Sequence, residues 1–129
     1  NNVLFSNTTG KGIAVVDLDT IMPGTVLYDF GDMMRTFISP AAEDEPDLTK
    51  VIFRQEIFEA LHKGYTEELN DILTDAEKEN LRFGGKIMTF IIGLRFLTDH
   101  LNGDVYFKVA REGHNLDRCR TQFRLMELM

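Results

Sequence analysis

A chain of 129 residues is the size of one domain or part of one, long enough to bury roughly two thirds of the surface that its unfolded form exposes. It is 43% hydrophobic and 27% charged, with 10 Phe and no Trp, which excludes disordered and collagen-like classes. Fourteen basic against 21 acidic side chains give a formal charge of -7, which argues against nucleic acid and anionic membranes as partners while leaving room for a local phosphate pocket.

The chain opens on "NNVLFS", directly beside a strand-like run and without Met, and is expected to be a fragment of a longer protein. "VLFS" and "GIAVVDLD", separated by the turn formers "NTTGKG", predict a β-hairpin from about Val3 to Leu18. After Pro23-Gly24, a helix is expected from around Asp29, with Phe30, Met33, Met34 and Phe37 on its buried face. "SPAAEDEPD" predicts an acidic surface loop. The helix after it, with Asp47 as its N-cap, carries Val51, Ile52, Ile57, Phe58 and Leu61 and stops at Gly64. Thr74 and Glu77 have capping-box spacing, which starts a long helix reaching to His100. "DVYFKV" is expected to be extended. A last helix begins near Asn115 and carries Leu116, Cys119, Phe123 and Leu125 or Met126. The fold class is therefore α+β and mainly helical: an N-terminal hairpin (1–19) followed by about four helices (28–129) in a single unit, with neither repeat nor linker.

Cys119 has no internal partner, and no charged-then-apolar leader appears, so the expected compartment is the cytoplasm. His62, His100 and His114 have no zinc-like spacing and are expected to be solvated or capping groups. "KIMTFIIGLRFLTDHL" is apolar around most of its circumference, yet too short and interrupted to span a bilayer, which needs about 20 apolar residues. Arg95 inside it needs a partner: Asp99 or an early aspartate, a route to solvent, or a ligand.

Chemistry concentrates at the end of the hairpin. In a strand, Asp17 and Asp19 point to one side, and a hairpin returns Asp17 beside Asn2. An amide oxygen with one or two carboxylates suits magnesium, whose remaining ligands are waters and phosphate oxygens. The simpler account of Asp-x-Asp alone is a turn or helix cap. Asp29-Phe30-Gly31 spells the metal-binding triplet of protein kinases, but stands beyond the Pro-Gly break.

The segment "NNVLF…IAVVDLDTIMPGTVLYDFGD" resembles the C-terminal lobe of the aminoglycoside phosphotransferase and choline kinase superfamily, whose fold is related to that of protein kinases. The resemblance implies that Asn2 and Asp17 hold magnesium, that Asp29 heads a helix and braces the catalytic loop, and that the catalytic base lies upstream of this chain. "GLRFLTDHLNGDVYFK" and "HNLDRCRTQF" are similar to a narrower branch, the N-acetylhexosamine 1-kinases, in which residues matching Arg95 and Tyr106 contact the sugar. The implied reaction is transfer of the γ-phosphoryl of ATP, with magnesium, to the anomeric hydroxyl of N-acetylglucosamine or N-acetylgalactosamine, with Asp19 near the metal or the sugar. The fragment by itself is expected to be inactive. Other readings are a kinase for another sugar or an amino alcohol, and a non-enzymatic assembly module that dimerises through a truncated face. Proteins of this branch have also carried the label mucin-desulfating sulfatase, but neither "RCRTQ" nor "ISPAA" supplies the C/S-x-P-x-R setting that a sulfatase requires.

Overall fold

A computed structural model describes residues 2–19 and 21–129. Strands β1 (Val3–Phe5) and β2 (Gly12–Val15) form an antiparallel hairpin with Val3 opposite Val15. The turn is closed by the Ser6 amide donating to the Lys11 carbonyl and the Gly10 amide to the Ser6 carbonyl, while the Ser6 hydroxyl takes the amides of Thr8 and Thr9. The ladder runs one step past the strands, where the Val16 amide donates to the Asn2 carbonyl at 2.9 Å. It then stops, because Asp17 turns into the left-handed region at φ 63°. The strands are thus shorter than expected, and every side chain on them is exposed.

Helix α1 (Val26–Phe37) starts three residues earlier than the periodicity suggests, because the Thr25 hydroxyl caps it by accepting the Leu27 amide. Phe30 and Met34 are fully buried, but Phe37 is exposed and Ile38 takes its place in the core. At the other end of α1, the Arg54 guanidinium donates to the carbonyls of Phe37 and Ile38, satisfying acceptors that the helix leaves open and placing a cation at the negative end of its dipole. Asp47 caps a single 3₁₀ turn, Leu48–Lys50, rather than a long helix. Helix α2 begins only at Gln55 and runs through Gly64 to Glu68, so Val51 is buried from an extended segment and Ile52 is exposed.

Helix α3 (Asp75–Leu101) opens with the expected capping box: the Thr74 hydroxyl accepts the Glu77 amide and the Glu77 carboxylate accepts the Thr74 amide. It lies between α1 and the last helix, α4 (His114–Leu128). Gly31 and Gly84 let α1 and α3 touch backbone to backbone; a Cβ on Gly31 would come within 2.6 Å of the Gly84 carbonyl oxygen, and one on Gly84 within 2.6 Å of that of Leu27. The core is Phe30, Met34, Ile38, Val51, Leu81, Leu125 and Met129, contributed by α1, α3, α4 and the segment after the acidic loop. The segment predicted to be extended, Asp104–Val109, forms no strand.

The packing decides among the alternatives for Arg95 in favour of a route to solvent, and it corrects the expectation for His114. Arg95 is exposed, and no carboxylate pairs with it among the described residues; its guanidinium lies over the rings of Tyr106 and Phe107, 5.6 and 5.3 Å from their centroids. His114 is buried rather than solvated: its Nδ1 accepts the Ala110 amide, and its Nε2 stands 3.1 Å from Asp44.

Candidate functional site

Three groups of residues are candidates for the chemistry, each placed by a different element. The first is the open end of the hairpin. The pairing of Val16 with Asn2 brings Asn2 and Asp17 to the same end of the ladder, and Asn2, Asp17 and Asp19 are all exposed. Neither carboxylate has a hydrogen-bonding or ionic partner among the described residues. Among the described residues, Asp17 is one of two non-glycine residues with positive φ, a conformation that costs free energy and clusters at functional sites. One amide oxygen and one or two carboxylates suit a hard, six-coordinate cation that keeps waters and phosphate oxygens as its other ligands. No group of three or more His, Cys, Asp or Glu suited to a metal occurs among the described residues.

The second group stands at the start of α1. Asp29 lies in its first turn, where a carboxylate opposes the positive end of the helix dipole. A partner from α2 holds it: the Tyr65 hydroxyl donates to Asp29 Oδ2 at 3.4 Å, and the Tyr65 ring meets Phe30 edge-on at 5.1 Å. Partial burial, followed by the neighbouring Asp29 charge and its hydrogen bond, pushes the Tyr65 hydroxyl up to about 12. Asp29 also borders an open groove of 850 Å³, together with Ile21, Met22, Pro23, Tyr28 and Asp32.

The third group is a cleft of 470 Å³ between α3 and the segment that follows it. Its floor is one face of the helix, Ile91, Leu94, Arg95, Thr98 and Asn102, and its wall is Val105, Tyr106 and Phe107. Arg95 Nη2 donates to the Tyr106 hydroxyl at 3.4 Å, so the two predicted sugar contacts stand together at this cleft. A guanidinium fork and a phenol hydroxyl offer donors and an acceptor to ring hydroxyls, while the aromatic and aliphatic walls suit the apolar face of a hexose.

Asp99 lies in the same cleft, and the sequence reading considered it only as a partner for Arg95. It is 4% exposed and accepts the backbone amides of Val105, Tyr106 and Phe107 at 3.0, 2.8 and 3.0 Å, with the Asn115 side-chain amide at 2.9 Å. Burial pushes its carboxyl up, but the amides of Phe107, Tyr106 and Val105, with that of Asn115, outweigh it and hold the group below the usual carboxylate range. The signal in the sequence was a carboxylate within an apolar helix, which needs several donors rather than one counter-ion.

No hydrogen bond or ion pair among the described residues joins the hairpin end to the cleft. Asn2, Asp17 and Asp29 fall within the residues covered by the family match; Arg95 and Tyr106 fall beyond it. A model of the phosphotransferase enzyme family matches residues 1–67, which is the hairpin, α1 and α2 almost to its end. That stretch is more than half of the 129 residues and carries the hairpin on which the sequence resemblance rested, so the chain belongs to the phosphotransferase enzyme family.

Proposed function

We propose that this chain is the C-terminal-lobe portion of an ATP-dependent kinase that phosphorylates the anomeric hydroxyl of an N-acetylhexosamine, N-acetylglucosamine or N-acetylgalactosamine. Family membership supports phosphoryl transfer in general. The observation that carries the acceptor class is the Arg95–Tyr106 pair at the mouth of a cleft whose remaining walls are largely apolar.

Phosphoryl transfer draws its rate from positioning and charge stabilisation rather than from covalent chemistry. In this reading the amide oxygen of Asn2 and the carboxylate of Asp17 would hold magnesium. When bound, that ion neutralises charge on the phosphates of ATP. Asp19, two residues on, would stand near the metal or the sugar. Asp29 keeps the first turn of α1 in place against the catalytic loop, and Tyr65 shares its carboxylate. Arg95 and Tyr106 orient the acceptor by its hydroxyls. None of the residues assigned here takes the hydroxyl proton, so this reading leaves the general base to another part of the kinase fold.

The test is direct. The full-length protein is incubated with ATP, magnesium and each N-acetylhexosamine, and the product is read by phosphorus and proton NMR. A phosphate on the anomeric carbon supports the reading; ATP consumed only with another sugar or an amino alcohol refutes the acceptor assignment, and no transfer to any hydroxyl refutes the kinase. A second reading, an assembly module, is favoured by one observation: Phe5, Ile13 and Val15 leave the hairpin apolar and exposed. Sedimentation of the 129-residue chain decides it, a monomer at all concentrations counting against assembly.

A further inference from the structure

The wall of the cleft has no regular secondary structure to hold it. Tyr106 is 73% exposed, so little packing fixes its side chain, and its neighbours Val105 and Lys108 are exposed as well. What fixes the backbone here is one buried side chain. Asp99 Oδ1 takes the amides of Val105 and Tyr106, and Oδ2 takes that of Phe107, so three successive N–H groups converge on a single carboxylate. A fourth donor comes from α4. Asn115, fully buried, gives one side-chain hydrogen to Asp99 Oδ2 and the other to Asp104 Oδ1 at 2.8 Å, while its own oxygen accepts from Arg118. Both hydrogens and the oxygen of that amide are therefore committed.

The chain enters this arrangement through a tight reversal. Gly103 and Asp104 both have positive φ, 89° and 59°, and the Asp104 amide donates back to the Asp99 carbonyl at 2.8 Å. Asp99 lies one helical turn after Arg95, on the same face of α3. One carboxylate thus ties the wall that carries Tyr106 to the helix face that carries Arg95.

We propose that Asp99, with Asn115 behind it, is the positioning residue of the acceptor cleft, setting the separation between the Arg95 guanidinium and the Tyr106 hydroxyl and so the affinity for the sugar. This rests on the reading of the cleft as the acceptor site. Asp99 touches no substrate; it acts through the backbone of residues 105–107. An asparagine there has the same size but only one oxygen for four donors, so at least one amide of the wall faces another N–H and the segment loosens.

The experiment compares Asp99→Asn with the native full-length protein, using N-acetylglucosamine and N-acetylgalactosamine as acceptors. The expected result is a KM for the sugar raised about tenfold, with kcat and the KM for ATP within about twofold, since the loss falls on acceptor binding rather than on the chemical step. In a Tyr106→Phe background the effect of Asp99→Asn shrinks, because both act through the same contact. An unchanged acceptor KM, full additivity with Tyr106→Phe, or a parallel decline in kcat and in the affinity for ATP overturns the proposal. Should Asp99→Asn fail to fold, Asn115→Ser removes one of the four donors and is expected to raise the acceptor KM about threefold with the same selectivity, or else to overturn it. Arg95→Gln and Tyr106→Phe separate the two levels. If neither moves the acceptor KM, the cleft is not the acceptor site and the proposal falls with it; if both do and Asp99→Asn does not, only the positioning role is lost.

Discussion

Tyr65 on α2 donates its hydroxyl to Asp29 in the first turn of α1 at 3.4 Å, while its ring packs on Phe30. Removing the hydroxyl in Tyr65→Phe keeps the ring contact and loses one bond to a charged acceptor, so a cost of about 1 kcal/mol in urea unfolding is expected. The pH dependence follows from a folded-state value raised to about 12. Below about pH 10 both folded and unfolded Tyr65 hold the proton; above it the unfolded chain releases it first, so stability falls from pH 10 towards 12. Tyr65→Phe loses this increment of the alkaline fall. An identical alkaline slope in the variant would show that Tyr65 does not titrate as described.

The glycines of α1, α2 and α3 separate into opposite predictions. At Gly31 or Gly84, alanine drives a methyl into backbone atoms of the facing helix at 2.6 Å, and a loss of about 2 kcal/mol or more is expected. At Gly64, inside α2, a Cβ meets nothing within 4 Å, so Gly64→Ala is expected to stabilise by about 0.5–1 kcal/mol through helix propensity. Thermal melts of the three variants suffice, and a stabilising Gly84→Ala would contradict the packing of α1 on α3.

At the start of α3, Thr74→Ala removes the hydroxyl half of the capping box and is expected to cost about 1 kcal/mol. Glu77 provides the other half. Its hydrogen bonds from the Thr74 amide and hydroxyl hold its carboxyl below the usual value, so its contribution is present above about pH 4.5 and fades as the pH falls through the lower folded value. Urea unfolding of the native chain and of Glu77→Ala, followed by circular dichroism, should show a stability difference above about pH 4.5 that narrows as the pH falls below it; a difference independent of pH would remove the Glu77 half of the capping box from the account.

For the metal, Asp17→Ala in the full-length protein is expected to lower magnesium-dependent turnover by about a hundredfold or more, the scale of losing a group that stabilises charge in the transition state. Asp29→Ala is expected to leave the affinity for magnesium intact while lowering activity. Isothermal titration with magnesium and a non-hydrolysable ATP analogue distinguishes them, and the reverse pattern would return the Asp-Phe-Gly triplet at Asp29 to the role of metal ligand.

The sequence reading and the structure agree where the signal is local. The capping box at Thr74, the turn formers between the strands and the order of elements were legible, because each depends on residues a few positions apart. The start of α1 was placed too late because the Thr25 hydroxyl caps the helix directly after Pro23-Gly24, before the first apolar residue of the periodic face, and Phe37 was misassigned because the buried stripe runs Phe30, Met34, Ile38. In the candidate site, Arg95 and Tyr106 came from the family resemblance as sugar contacts, and the structure adds the hydrogen bond between them, which joins residues 11 positions apart. Asp99 and Asn115 were not legible: their bonds link residues 6 to 16 positions apart, through a segment without helical or strand periodicity.

Where Gly31 faces Gly84, two helix backbones meet with no side chain between them. Such a seam acts as a fixed ruler. Ordinary helix pairs are spaced by side chains that can be exchanged for larger or smaller ones, but here the separation is already minimal and can only grow. The helix that bears Asp29 and the helix that bears Arg95 are thereby held at one spacing whatever happens to the residues around them, and drift elsewhere on either surface can retune the cleft without moving its foundation.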